Sequence, residues 1–174
     1  MGVRYRHTQN DPFYVVFDRM LSGYLLDNMF EVFYDESRLT SVTADIRWLV
    51  FDKLTIDAGA TFNNYRMTVL DHPLYRPKYE ARLKVDYSPM PQLSLFSTFL
   101  FQEGRYARNS SPYLLNPSFK LKPMMDLGLG ADYRFNDQLA VFVKINNLLH
   151  QKYQLYYNYP VNGIEFFAGL KMTF

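Results

Sequence analysis

Few side chains in this sequence have the types and spacing that chemistry requires. The three histidines, His7, His72 and His150, stand far apart along the chain, with no spacing that would bring metal ligands together. An enzyme would need Asp/His or Ser/His groups that converge, and Asp71 beside His72 is the sole adjacent pair of that kind. The chain also has no cysteine, and so no thiolate ligand or disulfide. The sequence therefore predicts that the protein is not an enzyme and has no metal site or cofactor.

The glycines Gly128 and Gly130 do not form a phosphate-binding motif. Such a motif leads from a strand into a helix, whereas these glycines lie inside an alternating pattern that is typical of a strand. We expect them instead to supply space on a crowded face of the protein.

The charged residues that could serve a binding site recur at every second position. They are Arg47, Asp57, Arg82, Lys84, Asp86, Asp132, Arg134 and Lys144. Alternation places such residues on one face of a strand, and several charges in a row are hard to bury away from water. We expect this face to line a wet interior. Two interpretations remain open: a lining of mutually paired charges, or a path for a substrate.

Strands must position these residues. From residue 43 onward, apolar residues recur with the period of a strand, as in Ala44, Ile46 and Trp48 against Asp45 and Arg47. Eight strands are predicted, at about 2–9, 38–50, 53–66, 77–88, 92–106, 121–135, 138–150 and 162–174. Short turns at 51–53, 89–91 and 136–137 alternate with longer links, which is the asymmetry of outer-membrane barrels. The long link 10–37 contains runs that would extend the strands or form a small hairpin.

Composition agrees with strands rather than with membrane-spanning helices. Tyr and Phe number 15 each and the aromatic share is 18%, yet the mean hydropathy is only −0.23. The longest apolar runs, such as 48–51, are far below the roughly 20 residues that a transmembrane helix requires. The net charge of +2 is spread along the chain, so a nucleic-acid partner is not expected.

Alternation does not tell a transmembrane barrel from a soluble barrel with its apolar face inside. Strand length favours the membrane, because the predicted strands exceed the usual soluble length of about 5–6 residues. Aromatic residues also gather at both ends of the apolar face: Trp48, Phe51, Tyr87 and Phe135 near the short turns, and Phe62, Tyr65, Tyr106, Tyr153, Tyr156 and Tyr157 toward the long loops. We therefore predict an all-β fold, an antiparallel up-and-down transmembrane β-barrel of about eight strands. It forms a single domain over 1–174, with the lipid bilayer of a Gram-negative outer membrane as its partner.

A cluster of tyrosines marks the last long link. Its members are Tyr153, Tyr156, Tyr157 and Tyr159. These rings could stack on a ligand at the extracellular mouth, or anchor the loop at the headgroup level of the bilayer. The second interpretation is favoured, since it requires no ligand.

The C-terminal region resembles the end of TonB-dependent receptors. The residues that carry the resemblance are Phe142-Val143-Lys144-Ile145-Asn146-Asn147-Leu148-Leu149, Lys152-Tyr153, Tyr159-Pro160-Val161-Asn162-Gly163 and Gly169-Leu170-Lys171-Met172-Thr173-Phe174. The alternate apolar residues Phe166, Ala168, Leu170, Met172 and Phe174 are similar to the signal that the barrel-assembly machinery recognises. Residues 74–81 are similar to a loop-to-strand junction of many Bacteroidetes members.

The resemblance implies a non-catalytic barrel wall of a receptor for nutrient uptake. Barrels of that family have about 22 strands and enclose a plug domain, so the chain would be the C-terminal eight strands without the plug. Its partners would then be the remaining strands, the plug and TonB. A plug is one possible neighbour for Phe96, Leu100, Phe142 and Phe167, which break the pattern of the charged face; contact with one another is the other.

Two other interpretations remain open. A self-contained eight-stranded barrel could act as an anchor, adhesin or assembly partner, with an interior filled by side chains. A soluble ligand-binding barrel would fold without detergent.

Overall fold

The computed structural model describes residues 1–21, 24–111, 114–115 and 118–173. Eight long strands make up most of this part of the chain: β1 (Gly2–Leu21), β2 (Tyr24–Phe51), β3 (Leu54–Met67), β4 (Tyr79–Met90), β5 (Leu93–Glu103), β6 (Met124–Arg134), β7 (Leu139–Asn146) and β8 (Glu165–Met172). Shorter strands lie in the connections, at Tyr106–Ala107, Asn109–Ser111, Leu114–Leu115, Phe119–Lys120, Gln154–Tyr156 and Tyr159–Pro160. The predicted all-β fold is confirmed. No described segment forms a helix that is long and apolar enough to cross a membrane.

The eight strands form one sheet in which each pairs with its neighbours in sequence, in the order β8-β7-β6-β5-β4-β3-β2-β1. All seven of these pairings are antiparallel. At its outer edge β1 also takes a short parallel pairing, of Val16 and Phe17 with Asn109 and Ser110. Within the described residues β1 and β8 do not pair with each other, so the sheet is open.

The register aligns the two predicted faces from strand to strand. One row of Cα partners runs through Asp45, Gly59, Arg82, Leu100 and Asp126, and the next through Ile46, Ala58, Leu83, Phe99 and Leu127. Because side chains alternate along a strand, the first row and every second row after it share one side of the sheet. We call that side the polar face and the opposite side the apolar face.

Short turns connect three of the strand pairs at one end of the sheet. Two residues suffice between β2 and β3 and between β4 and β5, where Phe51 pairs with Leu54 and Met90 with Leu93. The β6–β7 turn is stabilised by the Asn136 side chain, whose Oδ1 accepts hydrogen bonds from two backbone amides at 2.8 and 2.9 Å. These turns lie within one or two residues of the predicted positions.

The longest departure from the predicted strand boundaries is in the first hairpin. In the link 10–37, residues 10–21 continue β1 and residues 24–37 continue β2, so the predicted strand extension is observed, and the two extensions pair with each other. The register shifts between Thr8 and Asp11, where Asn10 adopts a φ of 46°. Two other strands end early: β5 stops before Gly104 (φ 73°) and β7 before Asn147 (φ 48°), both left-handed.

Buried apolar residues lie at the end of the sheet opposite the short turns. They are Phe13, Val15, Val16, Leu70, Leu74, Ala107, Leu121, Met124 and Tyr153. Nearly all belong to the first hairpin beyond residue 10 and to the three long connections. We call residues 11–35, 68–78, 104–123 and 147–163 the roof, and the rest of the eight strands the wall. The roof therefore holds nearly all of the apolar core among the residues whose burial is described.

Candidate functional site

A cavity of about 1110 Å³ lies between the wall and the last part of the roof. Wall residues of its lining include Asp45, Arg47, Asp57, Arg82, Lys84 and Asp126, and roof residues include Tyr153, Leu155, Tyr159, Pro160, Val161 and Asn162. Four of the charged residues singled out from the sequence thus come together around one space. We call residues 147–163, which cover this space, the strap.

The charges around the cavity are largely paired with one another. Arg82 donates to Asp45 at 2.8 Å, reaching past β3 at Gly59. A Cβ at Gly59 would lie 2.7 Å from both side chains, so the glycine provides room for the ion pair. Elsewhere Arg47 lies 3.4 Å from Asp57, and Lys84 lies 2.7 Å from Asp86. This arrangement favours a paired lining over a row of free charges. Because the pairs are exposed, each contributes little to stability.

The other charged candidates lie outside this cavity. Asp132 and Arg134 line a smaller cavity of about 530 Å³ near the short turns, together with residues of β4, β5 and β8. Lys144 stands between Gly130 and Phe167 in register.

Two aromatic rings that break the pattern of the polar face rest on glycines of neighbouring strands. A Cβ at Gly130 would lie 2.1 Å from the Phe96 ring, and a Cβ at Gly169 would lie 2.6 Å from the Phe142 ring. Each ring therefore covers a glycine on the adjacent strand. Gly128 likewise makes room for Thr98, whose Oγ1 would be 2.7 Å from an added Cβ. The expectation of a crowded face agrees with these contacts.

Polar contacts at the top of the wall hold the strap. Asp126 accepts a hydrogen bond from the Tyr153 hydroxyl at 2.6 Å and another from the Asn147 amide at 3.2 Å. The Asn147 side chain donates to the carbonyls of Gln151 and Asn162, at 2.9 and 2.8 Å. Burial and the bond to Asp126 raise the pKa of Tyr153, so its hydroxyl keeps its proton. The two ends of the strap are thus tied to each other and to β6.

The middle of the strap packs on the first hairpin through aromatic rings. Tyr156 lies 5.8 Å from Tyr14, 5.6 Å from Phe30 and 4.9 Å from Tyr75, and Tyr159 lies 5.4 Å from Phe30. These distances are typical of favourable ring pairs. Burial raises the pKa of Tyr75 to about 12. The roof thereby links the first hairpin of the sheet to the last.

A partly buried ion pair fixes the first hairpin to the β3–β4 connection. The Arg76 guanidinium donates to both carboxylate oxygens of Asp11, at 2.6 and 2.7 Å, and lies 4.3 Å from the Phe13 ring centroid. Ser37 also donates to Asp11. Burial alone would raise the pKa of Asp11, but the bonds from Arg76 and Ser37 and the charge of Arg76 outweigh it, and the pKa is lowered.

A second carboxylate of the hairpin is bound by backbone. Asp35 is only 4% exposed and accepts hydrogen bonds from the amides of Val69 and Leu70, at 3.0 and 2.8 Å. Sequence reasoning missed these anchoring residues. The sequence contains only an indirect indication that Arg76 matters, because this residue lies in the segment 74–81, which resembles a loop-to-strand junction.

The aromatic residues take different positions at the two ends of the sheet. Near the short turns, Trp48, Phe51 and Phe135 are 50–60% exposed on the outside of the wall, as a girdle requires. At the roof, Tyr153 is buried, so its interpretation as a membrane anchor is wrong. Tyr157 packs against Phe119 at 4.9 Å, and Tyr106 stacks on His72 at 3.8 Å. These rings stabilise the roof internally.

Large side chains of the apolar face are exposed along the wall. Ile46, Phe166, Leu170 and Met172 are 61–70% exposed, and Leu83 and Leu129 about 40%. A soluble barrel would bury this face, so the arrangement is that of a wall with its apolar face outward. Four of the five residues of the predicted assembly signal lie on β8; Phe174 is outside the described residues.

The three histidines make separate contacts. His7 lies 2.8 Å from Glu36, His72 stacks on Tyr106, and the His150 ring lies where a Cβ of Gly163 would be. Among the described residues, no group of three or more potential ligands is placed to hold a metal ion.

No family model and no curated protein matches the sequence. Solved structures do match. The pyoverdine outer membrane receptor FpvA of Pseudomonas aeruginosa PAO1, bound to pyoverdine, is 14% identical and aligns with 99% of this chain and 26% of the receptor, at a TM-score of 0.72. The ferric-catecholate import receptor Fiu of E. coli K12 is 14% identical and aligns with 98% of this chain and 24% of the receptor, at a TM-score of 0.69. The copper transporter OprC is 13% identical and aligns with 99% of this chain and 28% of the transporter, at a TM-score of 0.69. The chain spans about a quarter of the length of these proteins, and it has the fold of the β-barrel wall of TonB-dependent outer-membrane receptors.

Proposed function

We propose that this chain is part of the barrel wall of a TonB-dependent outer-membrane receptor that takes up a nutrient. The observation that carries the proposal is the open sheet: β1 and β8 do not pair with each other in the described residues, and nearly the whole chain matches about a quarter of such receptors. Unpaired strand edges are unstable in a membrane, because backbone groups there have no water to bind. Further strands of a larger barrel would provide hydrogen-bond partners for the backbone groups at both edges of the sheet.

The two faces of the wall have different partners in this proposal. The apolar face contacts lipid, and the residues from Phe166 to Phe174 are recognised by the barrel-assembly machinery. The polar face, with Arg47, Asp57, Arg82 and Lys84 around its cavity, lines the interior in which the plug resides and through which the nutrient passes. TonB acts on the plug and not on this wall. The chain contributes no catalytic step.

The orientation of the wall can be tested with single cysteines, since the chain has none of its own. Leu83 and Arg82 are neighbours on opposite faces, so Leu83→Cys and Arg82→Cys form a matched pair. In intact outer membranes we expect Arg82→Cys to react with a water-soluble maleimide and Leu83→Cys to react only with a lipid-soluble one. Reaction of both with the water-soluble reagent would contradict the membrane assignment.

The larger barrel can be tested by heat modifiability in detergent. Residues 1–174 alone should migrate alike whether boiled or not, because an open sheet has no closed, denaturation-resistant form. A shift on boiling would mean that β1 and β8 close upon each other. It would favour a self-contained eight-stranded barrel that serves as an anchor, adhesin or assembly partner.

A further inference from the structure

Arg105 is a buried arginine that none of the contacts described above explains. It follows Gly104 at the end of β5 and is only 2% exposed. Its backbone carbonyl accepts a hydrogen bond from Leu121, and its Nη1 donates to the carbonyl of Gln154 in the strap at 2.9 Å. The guanidinium thus lies directly beneath the strap.

The other two nitrogens of this guanidinium have no partner. Within the part of the chain that the structure describes, neither Nε nor Nη2 of Arg105 has a hydrogen-bond acceptor. Their N–H bonds point to the same side of the planar group and form the fork that binds two oxygens of one carboxylate or phosphate. A buried charge with two unmade hydrogen bonds is costly, so this is an arrangement that requires an explanation.

Three carboxylates of the roof are engaged elsewhere. Asp11 is bound by Arg76, Asp35 by backbone amides, and Asp71 by Ser118. Asp126, the acidic residue closest to the strap anchors, accepts from Tyr153 and Asn147. Burial lowers the pKa of Arg105, and no carboxylate is among the groups that oppose this shift. The described chain therefore supplies no counterion for this guanidinium.

We propose that Arg105 is a binding residue for an oxyanion, which occupies the Nε/Nη2 fork when the strap lifts from the wall. The ligand group is a carboxylate or a phosphate, because only a group with two adjacent acceptor oxygens fits both donors. The guanidinium is buried and bonded to the Gln154 carbonyl of the strap, so strap opening and anion binding are coupled. The site would exist whether or not the wall belongs to a larger receptor, so its test is independent of the transport proposal.

The test uses the natural full-length protein, purified from outer membranes in detergent. Thermal unfolding is followed while inorganic phosphate replaces chloride at constant ionic strength. We expect phosphate to raise the Tm saturably in the native protein and in Arg66→Gln, which removes an exposed arginine of β3. In Arg105→Gln the shift should be absent. An equal shift in Arg105→Gln would show an adventitious ion effect only, and would overturn the proposal.

Two further variants keep the result decisive. Tyr153→Phe removes a strap anchor, so half-saturation should occur at a several-fold lower phosphate concentration; unchanged or weaker binding would contradict the coupling. Arg105→Lys keeps the charge but not the fork, and should weaken binding at least tenfold even if Arg105→Gln does not fold. Retention of full phosphate affinity in Arg105→Lys would contradict the proposal that the Nε/Nη2 fork binds the oxyanion.

The source of the oxyanion is distinguished by separate titrations. Acetate and inorganic phosphate test small solutes, and short-chain phosphatidic acid in the micelle tests a lipid headgroup. An Arg105-dependent shift with a solute assigns a soluble ligand, and a shift with phosphatidic acid alone assigns a lipid. No Arg105-dependent shift with any of the three would refute the site.

Discussion

The wall and the roof are stabilised by different interactions. In the wall, hydrogen bonds between the backbones of neighbouring strands hold the sheet together. Large apolar side chains are exposed there, and ion pairs such as Arg82–Asp45 are open to solvent. In the roof, the Phe13 ring is only 1% exposed, and the Asp11 carboxylate is buried and paired with a partly buried arginine. The wall thus depends on its surroundings to cover its apolar face, whereas the roof is packed like a small water-soluble domain.

The largest expected effect is from Phe13→Ala. Truncating a fully buried ring in a packed core costs about 4 kcal/mol, and the loss should be confined to the roof. Hydrogen exchange resolved by region should show faster exchange across 11–35 and unchanged exchange in β3–β5. The control is Phe135→Ala at the exposed end of the wall, where we expect about 1 kcal/mol or less. Similar losses from both variants would abolish the distinction between the two regions.

Next in size is Arg76→Met, which leaves Asp11 buried without its partner. Arg76 is partly exposed and Asp11 is buried, so removing the arginine from this carboxylate should cost about 2 kcal/mol. Arg82→Met breaks an exposed pair in the wall and should cost no more than about 1 kcal/mol. Chemical denaturation that follows the protection of the first hairpin from protease measures both. A larger loss of stability in Arg82→Met than in Arg76→Met would contradict the proposed difference between the wall and the roof.

Acid should act on the same ion pair. The folded-state pKa of Asp11 lies below its ordinary value of 3.8, so the stabilisation is fully present above that value and is lost as the pH falls through the lowered pKa. Protease protection of the first hairpin should therefore be constant from about pH 5 to 7 and decline only below about pH 4. In Arg76→Met the lowering by Arg76 is lost, so the Asp11 pKa should be higher than in the native protein and protection should decline at a higher pH. An identical acid profile for the two proteins would rule out Asp11 as the titrating group.

A smaller effect is expected from Gly130→Ala in the wall. The added Cβ would lie 2.1 Å from the Phe96 ring, and displacing the ring costs about 1–3 kcal/mol by overpacking. In a Phe96→Ala background the same change should be nearly neutral. A double-mutant cycle in detergent measures the difference, and the idea fails if the penalty persists without the ring.

The sequence predicted the wall well because its information is periodic. Alternation at Asp45, Arg47 and Ile46 fixes the face of each residue without knowledge of any partner strand, and the turn near Lys53 fixes the direction of the next strand. The packing of Phe96 on Gly130 and of Phe142 on Gly169 could not be predicted, since it depends on the register between neighbouring strands. The sequence identifies both rings as exceptions to the alternation, but only the structure shows their neighbours.

The roof could not be predicted in the same way. Arg76 binds Asp11 from a position 65 residues away, and no local pattern reports such a contact. Alternation does not predict the extension of β1 and β2, because the register shift near Asn10 interrupts it. Tyr153 was assigned to the membrane interface from its residue type alone, whereas its hydroxyl bonds to Asp126 inside the protein.

The contact of Tyr14 with Tyr156 has a consequence for the order of folding. These residues are 142 positions apart in the sequence, so we expect the strap to meet the first hairpin only once the strands between them have paired. Contacts of such long sequence separation form late, because the loop they close must first be ordered. Closure of the roof is therefore a late event in biogenesis, and an assembly intermediate that lacks the last hairpin would present an unsealed outer surface.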